Sequence, residues 1–379
     1  MKKSLLALAV TSAVAAPAFA QSSVTLYGII DVGITYVNNA AGHSQWQEQS
    51  GIAQGSRWGL KGAEDLGGGT KAIFQLENGF SPNNGALGQS SREFGRQAYV
   101  GLSNDRYGTL TLGRQYDPVV DMAQATTFNG QWGALFSHPA DIDNTDNGFR
   151  VNNSVKYVSP TFSGLQAEAM YAFGGVAGKF GQNSTIGGGL SYTAGPLYLG
   201  AGYFFAKNPA AQFNDGNFTA ANQPPGAVSS SSGIWGLVGL PSNMQVISAG
   251  GNYTLGKALF GANFSNVRFD NANGVGGNTV WFNSYELWGQ YSLTPATTLG
   301  AGYTFTNGKV DATGQRPKYG QLNAIADYAL SKRTDVYVMG IYQHAMSGDV
   351  TADIYAPLFA GASSNSNQVV GRVGIRHKF

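Results

Sequence analysis

The chain has 379 residues, with 23 lysines and arginines against 21 acidic residues, 54 glycines, 21 phenylalanines, 19 tyrosines and no cysteine. The lack of cysteine excludes a disulfide framework and thiol chemistry, and the balanced charge excludes a polyanion-binding protein. Mean hydropathy is −0.14, and beyond residue 20 no apolar run reaches the roughly 18 residues of a membrane-spanning helix.

Residues 1–20 read as a cleaved Sec leader. Lys2 and Lys3 precede an apolar stretch, and Ala18-Phe19-Ala20 supplies the cleavage motif, so the mature domain is expected over 21–379. Removing the leader leaves 21 basic residues against 21 acidic ones. From residue 24 onward the hydrophobic period is 2. The first strand sets Val24, Leu26, Ile30, Val32 and Ile34 against Thr25, Tyr27, Asp31 and Thr35. The pattern predicts sixteen strands, near 24–37, 56–64, 70–80, 93–103, 108–116, 151–159, 165–174, 184–193, 197–207, 245–254, 257–269, 283–292, 297–306, 318–329, 334–346 and 366–379. In the last of these, Val370, Arg372, Gly374, Arg376 and Lys378 share one face, and Phe379 ends the strand that must pair with the first to remove an open edge.

The connections alternate between short turns and long loops, the long ones near 38–55, 81–92, 117–150, 175–183, 208–244, 270–282, 307–317 and 347–365. This is the signature of an all-β, 16-stranded antiparallel transmembrane β-barrel with short periplasmic turns and long extracellular loops. A barrel of this size leaves an aqueous lumen. Only alternate residues face lipid, which keeps mean hydropathy near zero, and aromatic residues supply the belts at both membrane surfaces.

No motif carries chemistry. His43, His138, His344 and His377 are scattered, no metal-ligating cluster occurs, and there is no nucleophile elbow or phosphate loop. The triple glycines at 67–69 and 187–189 read as a turn and a barrel kink. No catalytic residue, metal or cofactor is expected, and no nucleic-acid partner.

The informative charges are arginines. Arg57 alternates with Trp58 and Leu60 and therefore points into the lumen, as do Lys61, Arg372, Arg376 and Lys378. Arg96, within the predicted strand 93–103, precedes Gln97-Ala98-Tyr99-Val100-Gly101-Leu102, and Arg150 ends the third long loop. Residues 117–149 of the third long loop hold Asp117, Asp121, Asp141, Asp143 and Asp146 with no lysine or arginine. Folded into the barrel, it would set acids opposite basic walls across a narrow gap. Arg96 and Arg114 fall in register with apolar neighbours, so alternation sends both outward. An outward Arg114 suits a polar bridge between subunits.

The chain resembles the Gram-negative general porins, most closely those of β-proteobacteria. The resemblance spans the mature chain and is densest at Val24-Thr25-Leu26-Tyr27-Gly28, Ser56-Arg57-Trp58-Gly59-Leu60-Lys61-Gly62, Phe74-Gln75-Leu76-Glu77, Arg96-Gln97-Ala98-Tyr99-Val100-Gly101-Leu102, Leu112-Gly113-Arg114-Gln115-Tyr116 and Asn153-Ser154-Val155-Lys156-Tyr157. It implies a homotrimer in outer-membrane lipid, each barrel with its own pore narrowed by the third loop. It also implies that Arg57, Arg96 and Arg150 line the constriction. Ile29 stands where enteric relatives carry a pore lysine, and a Pro-Glu-Phe-Gly-Gly segment is absent from the third loop. Asp117 and Asp121 are the acids expected to face the arginines.

The expected function is passive diffusion of small hydrophilic solutes and ions with anion preference. A substrate-specific channel on the same scaffold is the alternative, and Trp46, Trp132, Trp235 and Trp281 are candidates for an aromatic slide. An outer-membrane enzyme would need a His/Ser constellation, which the sequence does not display, and a soluble adhesin would have to fold without detergent.

Overall fold

The computed structural model describes residues 23–213, 218, 233–355 and 362–379. The expected leader, 1–20, lies outside the described residues, as do parts of the 208–244 and 347–365 segments. One closed antiparallel sheet runs through β1 (Ser23–Ala40), β2 (His43–Ser50), β3 (Arg57–Gly67), β4 (Thr70–Gly79), β5 (Gln97–Asn104), β6 (Gly108–Gln115), β7 (Val151–Val158), β8 (Leu165–Ala172) and β9 (Thr185–Ala194). It continues through β10 (Leu197–Lys207), β11 (Asn243–Leu255), β12 (Ala258–Asp270), β13 (Thr279–Ser292), β14 (Thr297–Val310), β15 (Lys318–Ala329), β16 (Thr334–Ala345) and β17 (Asn367–Lys378).

Seventeen segments make sixteen staves. β3 pairs with the first part of β1, from Ser23↔Ala63 to Ile29↔Arg57, and β2 pairs with the remainder, from Val32↔Ser50 to Ala40↔His43. They are one stave interrupted at 51–56. The expected first loop, 38–55, is therefore mostly strand. Ala41 and Gly42, at φ 51° and 97°, close a two-residue hairpin whose positive φ values match the twist of the strands. Closure occurs between β1 and β17, from Ile29↔Lys378 to Val37↔Val370. The ladder ends where Gly28 and Phe379 exchange both N–H···O bonds, at 3.1 and 3.0 Å. Pairing of the terminal strand thus removes the edge.

Alternation places apolar side chains outside. Leu287 and Val100 are 70% and 60% exposed, whereas their inward neighbours Glu286 and Gly101 are buried. An isolated barrel must leave this apolar outer face bare, because lipid covers it. The buried apolar residues lie in the lumen instead, where the third long loop is folded against the inner wall. Phe128, Leu135, Phe136 and Ile142 of that loop are fully buried.

Glycine makes the close approach possible. A Cβ on Gly200 would stand 1.9 Å from the Met122 carbonyl, and one on Gly202 would stand 2.6 Å from the Pro118 carbonyl. Gly187 and Gly189 face Pro118 and Met122 in the same way, at 2.9 and 2.7 Å. The 187–189 triplet is thus the seat of the loop on the barrel wall. Farther round, Thr126 lies over Gly250, and Phe128 over Gly300 and Gly302.

Candidate functional site

The third loop is anchored along its whole length. Its Asp121 pairs with Lys156 on β7, and its Thr126 hydroxyl accepts from Asn263 on β12 at 2.8 Å. The Phe128 N–H donates to Glu286 on β13 at 3.0 Å, and the Ala134 N–H reaches the Ile52 carbonyl at 2.8 Å. Gln321 on β15 donates to Ser137 O at 3.2 Å. The loop therefore covers the arc from β7 to β15 and meets the inward turn at 51–56. The wall formed by β3, β4 and β5 faces it across the remaining opening.

On that wall Arg57 and Glu77 lie on neighbouring strands. Glu77 Oε1 is 2.7 Å from Arg96 Nε and 3.9 Å from Arg57 Nη1. Tyr116 donates to the same oxygen at 3.1 Å and accepts from Arg96 Nη2 at 2.8 Å. Tyr27 donates to Glu77 Oε2 at 2.9 Å and accepts from Gln75, which in turn accepts from Tyr99. Arg150 Cζ lies 5.7 Å from the Tyr116 ring centroid. Burial, and next the charge of Arg96, push the Arg150 pKa down to about 10, so it remains cationic at neutral pH. Among the described residues, the Nε atoms of Arg57 and Arg150 are buried without a hydrogen-bond partner. Glu77 thus serves Arg96 directly and Arg57 at longer range, while Arg150 and Arg96 also lie within electrostatic reach of the third-loop Asp146.

Arg96 precedes the β5 ladder, which starts at Gln97 rather than near 93. Its N–H caps Glu77 O at 3.1 Å and its side chain turns inward. The outward direction drawn from alternation fails because the residue is outside the strand. Arg114 also departs from expectation: it is 8% exposed, with its guanidinium donating to Gly95 O at 2.7 Å and to Asn152 Oδ1 at 2.6 Å. Its own chain encloses the group that was expected to bridge subunits.

Neither loop acid faces the arginines. Asp117 Oδ1 caps the turn beneath it, accepting from the N–H groups of Val119 and Val120, and Oδ2 accepts from Asn144 at 2.6 Å. Burial, and then Asp121, push its pKa up to about 6. Asp121 does reach the opening, but its partner is Lys156, which also lies 3.8 Å from Glu168.

The lumen cations differ in access. Lys61 is exposed, with its ammonium 5.4 Å from the Tyr27 ring centroid, and Lys378 is exposed at the end of β17. Arg376 pairs with Asp335 at 3.1 Å. Arg372 is sealed and does not line the water path. It lies 3.6 Å from Asp31, both side chains are 0% exposed, and it donates to Tyr337, Gly33 O, Thr35 and Gln49 O. Asp31 holds the 51–56 turn by accepting from the N–H groups of Ala53 and Gln54 at 2.6 and 2.9 Å.

Glu77 was legible in the sequence and was overlooked. It alternates with Gln75 against Phe74 and Leu76, so the parity that turned Arg57 inward applies equally to it. The four tryptophans form no slide. Trp46 is 70% exposed and packs at a tilt against Tyr36, Trp132 and Trp235 are buried behind hydrogen bonds to Gln290 and Ala140 O, and Trp281 lies on the outer face of β13. His138, Asp143 and Ser265 come together, but all are fully buried, and Ser265 and His138 Nδ1 both engage Asp143 Oδ2. Burial alone would lower the His138 pKa. The Asp143 charge outweighs it and carries the ring up to about 10. This is a charged clamp fastening the loop, with Glu286 at 3.8 Å on the other ring nitrogen.

A family model described as Gram-negative porin matches residues 6–346. An outer membrane porin protein of Bordetella pertussis is 32% identical over the full length of both chains. The chain belongs to the Gram-negative porin family. Outer membrane porin protein 32 of Delftia acidovorans is 31% identical, again across both full lengths. Among solved structures, the anion-selective porin from Comamonas acidovorans superposes with a TM-score of 0.75 at 26% identity, covering 95% of this chain and all of that one. The chain is thus an outer-membrane porin, and its lumen is a passive diffusion channel.

Proposed function

We propose that this porin is an anion-preferring general diffusion channel whose constriction is set by Arg57, Arg96, Arg150 and Glu77. The carrying observation is the excess of guanidinium over carboxylate where the loop faces the β3–β5 wall. In a narrow, water-filled opening with low-dielectric walls such an excess raises local anion concentration and opposes cations. Lys61 and Lys378 extend the positive wall, while Asp121 is occupied by Lys156. The similarity to an anion-selective porin supports the same sign.

The long-loop rim faces the exterior and the short turns the periplasm. The protein acts as a homotrimer with one pore per subunit and catalyses no reaction. The outer face of β1–β5 carries no outward lysine or arginine, which suits it to the subunit contact. Phe94 of the 80–96 segment packs on outward Trp58 there, at 6.3 Å between ring centroids. Planar-bilayer recordings under a salt gradient test the proposal. Closure in three equal steps with a reversal potential on the anion side is the expected result. Cation-side reversal overturns the assignment of the dominant charges.

A further inference from the structure

Four long-loop segments close over the ends of β14 and β15 and enclose a cavity of about 370 Å³. None of the constriction residues lines it. Val310 and Tyr319, 2% and 1% exposed, form its floor. Leu237 and Val350 give apolar walls, and the exposed Val275 and half-buried Asp349 mark its mouth. A concave, mostly apolar lining with a few converging polar groups is the usual form of a small-molecule site.

Two polar groups here are left over by the fold. The Tyr319 hydroxyl is buried without a hydrogen-bond partner among the described residues, which costs free energy that no internal contact offsets. Asp349 accepts the Arg316 N–H at 2.7 Å but makes no ion pair among the described residues. The lining amides are occupied, by contrast. Asn278 donates to Ala272 O and accepts the Ala312 N–H, and Asn273 donates to Leu237 O. The described lining holds no lysine or arginine. A second carboxylate, Asp353, stands behind the wall at Gly233, where a Cβ would lie 1.8 Å from its Oδ2. It too makes no ion pair among the described residues. The cavity is therefore negative, whereas the constriction carries an excess of guanidinium.

We propose that this cavity binds a small amphipathic organic cation, a primary amine with an apolar body and a distal hydroxyl. The ammonium would sit on Asp349, the body between Leu237, Val275 and Val350, and the hydroxyl on Tyr319. An ammonium has only donors, which suits a carboxylate, and a phenol both donates and accepts, which suits a hydroxyl. The inference is independent of the sign of the pore's selectivity.

The test is calorimetric titration of the full-length folded protein in detergent with tyramine, with empty micelles as the blank. Saturable binding is expected. Asp349→Asn should weaken it on the order of 10-fold, and Tyr319→Phe about 5-fold. Phenethylamine lacks the hydroxyl, so it should bind the wild type about 5-fold more weakly than tyramine and bind Tyr319→Phe as well as tyramine does. Unchanged heat-modified gel mobility shows that the variants are folded. The thermal midpoint of Tyr319→Phe should not fall, because the hydroxyl removed has no partner; a fall would give it a structural role and overturn the proposal. Heat no greater than that of empty micelles overturns it, as do equal affinities of wild type and Asp349→Asn. Equal binding of p-hydroxyphenylacetate, an anion of similar shape, would move the site to the arginines and overturn it as well.

Discussion

Arg57 and Arg372 both point inward and both lie near a carboxylate, yet they stand in different surroundings. Arg57 borders the opening, 3.9 Å from a Glu77 that already serves Arg96. Arg372 is enclosed with Asp31 beneath the 51–56 turn, and its donors are met by a hydroxyl, a phenol and backbone carbonyls. Alternation along a strand reports which side of the wall a residue occupies. Whether water reaches it depends on what folds over it, and here a break in one stave supplies the cover.

The largest effect should come from breaking the enclosed pair. Arg372→Gln leaves Asp31 buried and uncompensated, a loss of about 3–5 kcal/mol. The thermal unfolding midpoint should fall while ion selectivity stays unchanged; a shifted selectivity with unchanged stability would erase the distinction between the two sites. Gly200→Val attacks the loop-clad wall, because its Cβ would stand 1.9 Å from the Met122 carbonyl. The loop should move into the lumen and single-channel conductance should drop, whereas unaltered conductance would show that the loop tolerates displacement.

Opening the charged wall should have a moderate effect. A unit charge about 5 Å from a passing ion is worth roughly 0.8 kcal/mol in a water-like dielectric, of opposite sign for anion and cation, and salt screening roughly halves it, so each lining cation removed should lower the anion-to-cation permeability ratio about 4-fold. The Arg57→Gln/Arg150→Gln pair tests this by reversal potential. A pH effect comes next. The His138 pKa is raised from 6.5 to about 10, so its contribution to holding the loop is fully present below 6.5 and is lost as pH rises toward 10. Current noise from loop motion should increase over that window and should be pH-independent in Asp143→Asn. Asp121→Asn should have the smallest effect, leaving Lys156 with Glu168 alone and raising anion preference less than Arg57→Gln lowers it.

The strand count, the closing role of Phe379 and the inward set Arg57, Lys61, Arg376 and Lys378 were legible because period-2 alternation and short turns are local signals. Glu77 was equally legible by that rule. The fate of Asp117 was not, since its partners Val119, Val120 and Asn144 depend on how a 34-residue loop folds on itself. Arg372 was misassigned because the turn that seals it is tied to Asp31, far away in sequence but adjacent across the closed seam. The glycines of β9 and β10 were visible in the sequence, but their purpose appears only when Pro118 and Met122 lie against them.

The most direct test of the central claim is the reversal potential of Arg57→Gln and of Glu77→Gln, each compared with wild type under one salt gradient. Removing one of three guanidinium groups should move the potential toward cations, and removing the Glu77 carboxylate should move it toward anions. Shifts in the same direction, or no shift in either variant, would contradict the account that these residues set the selectivity of the pore.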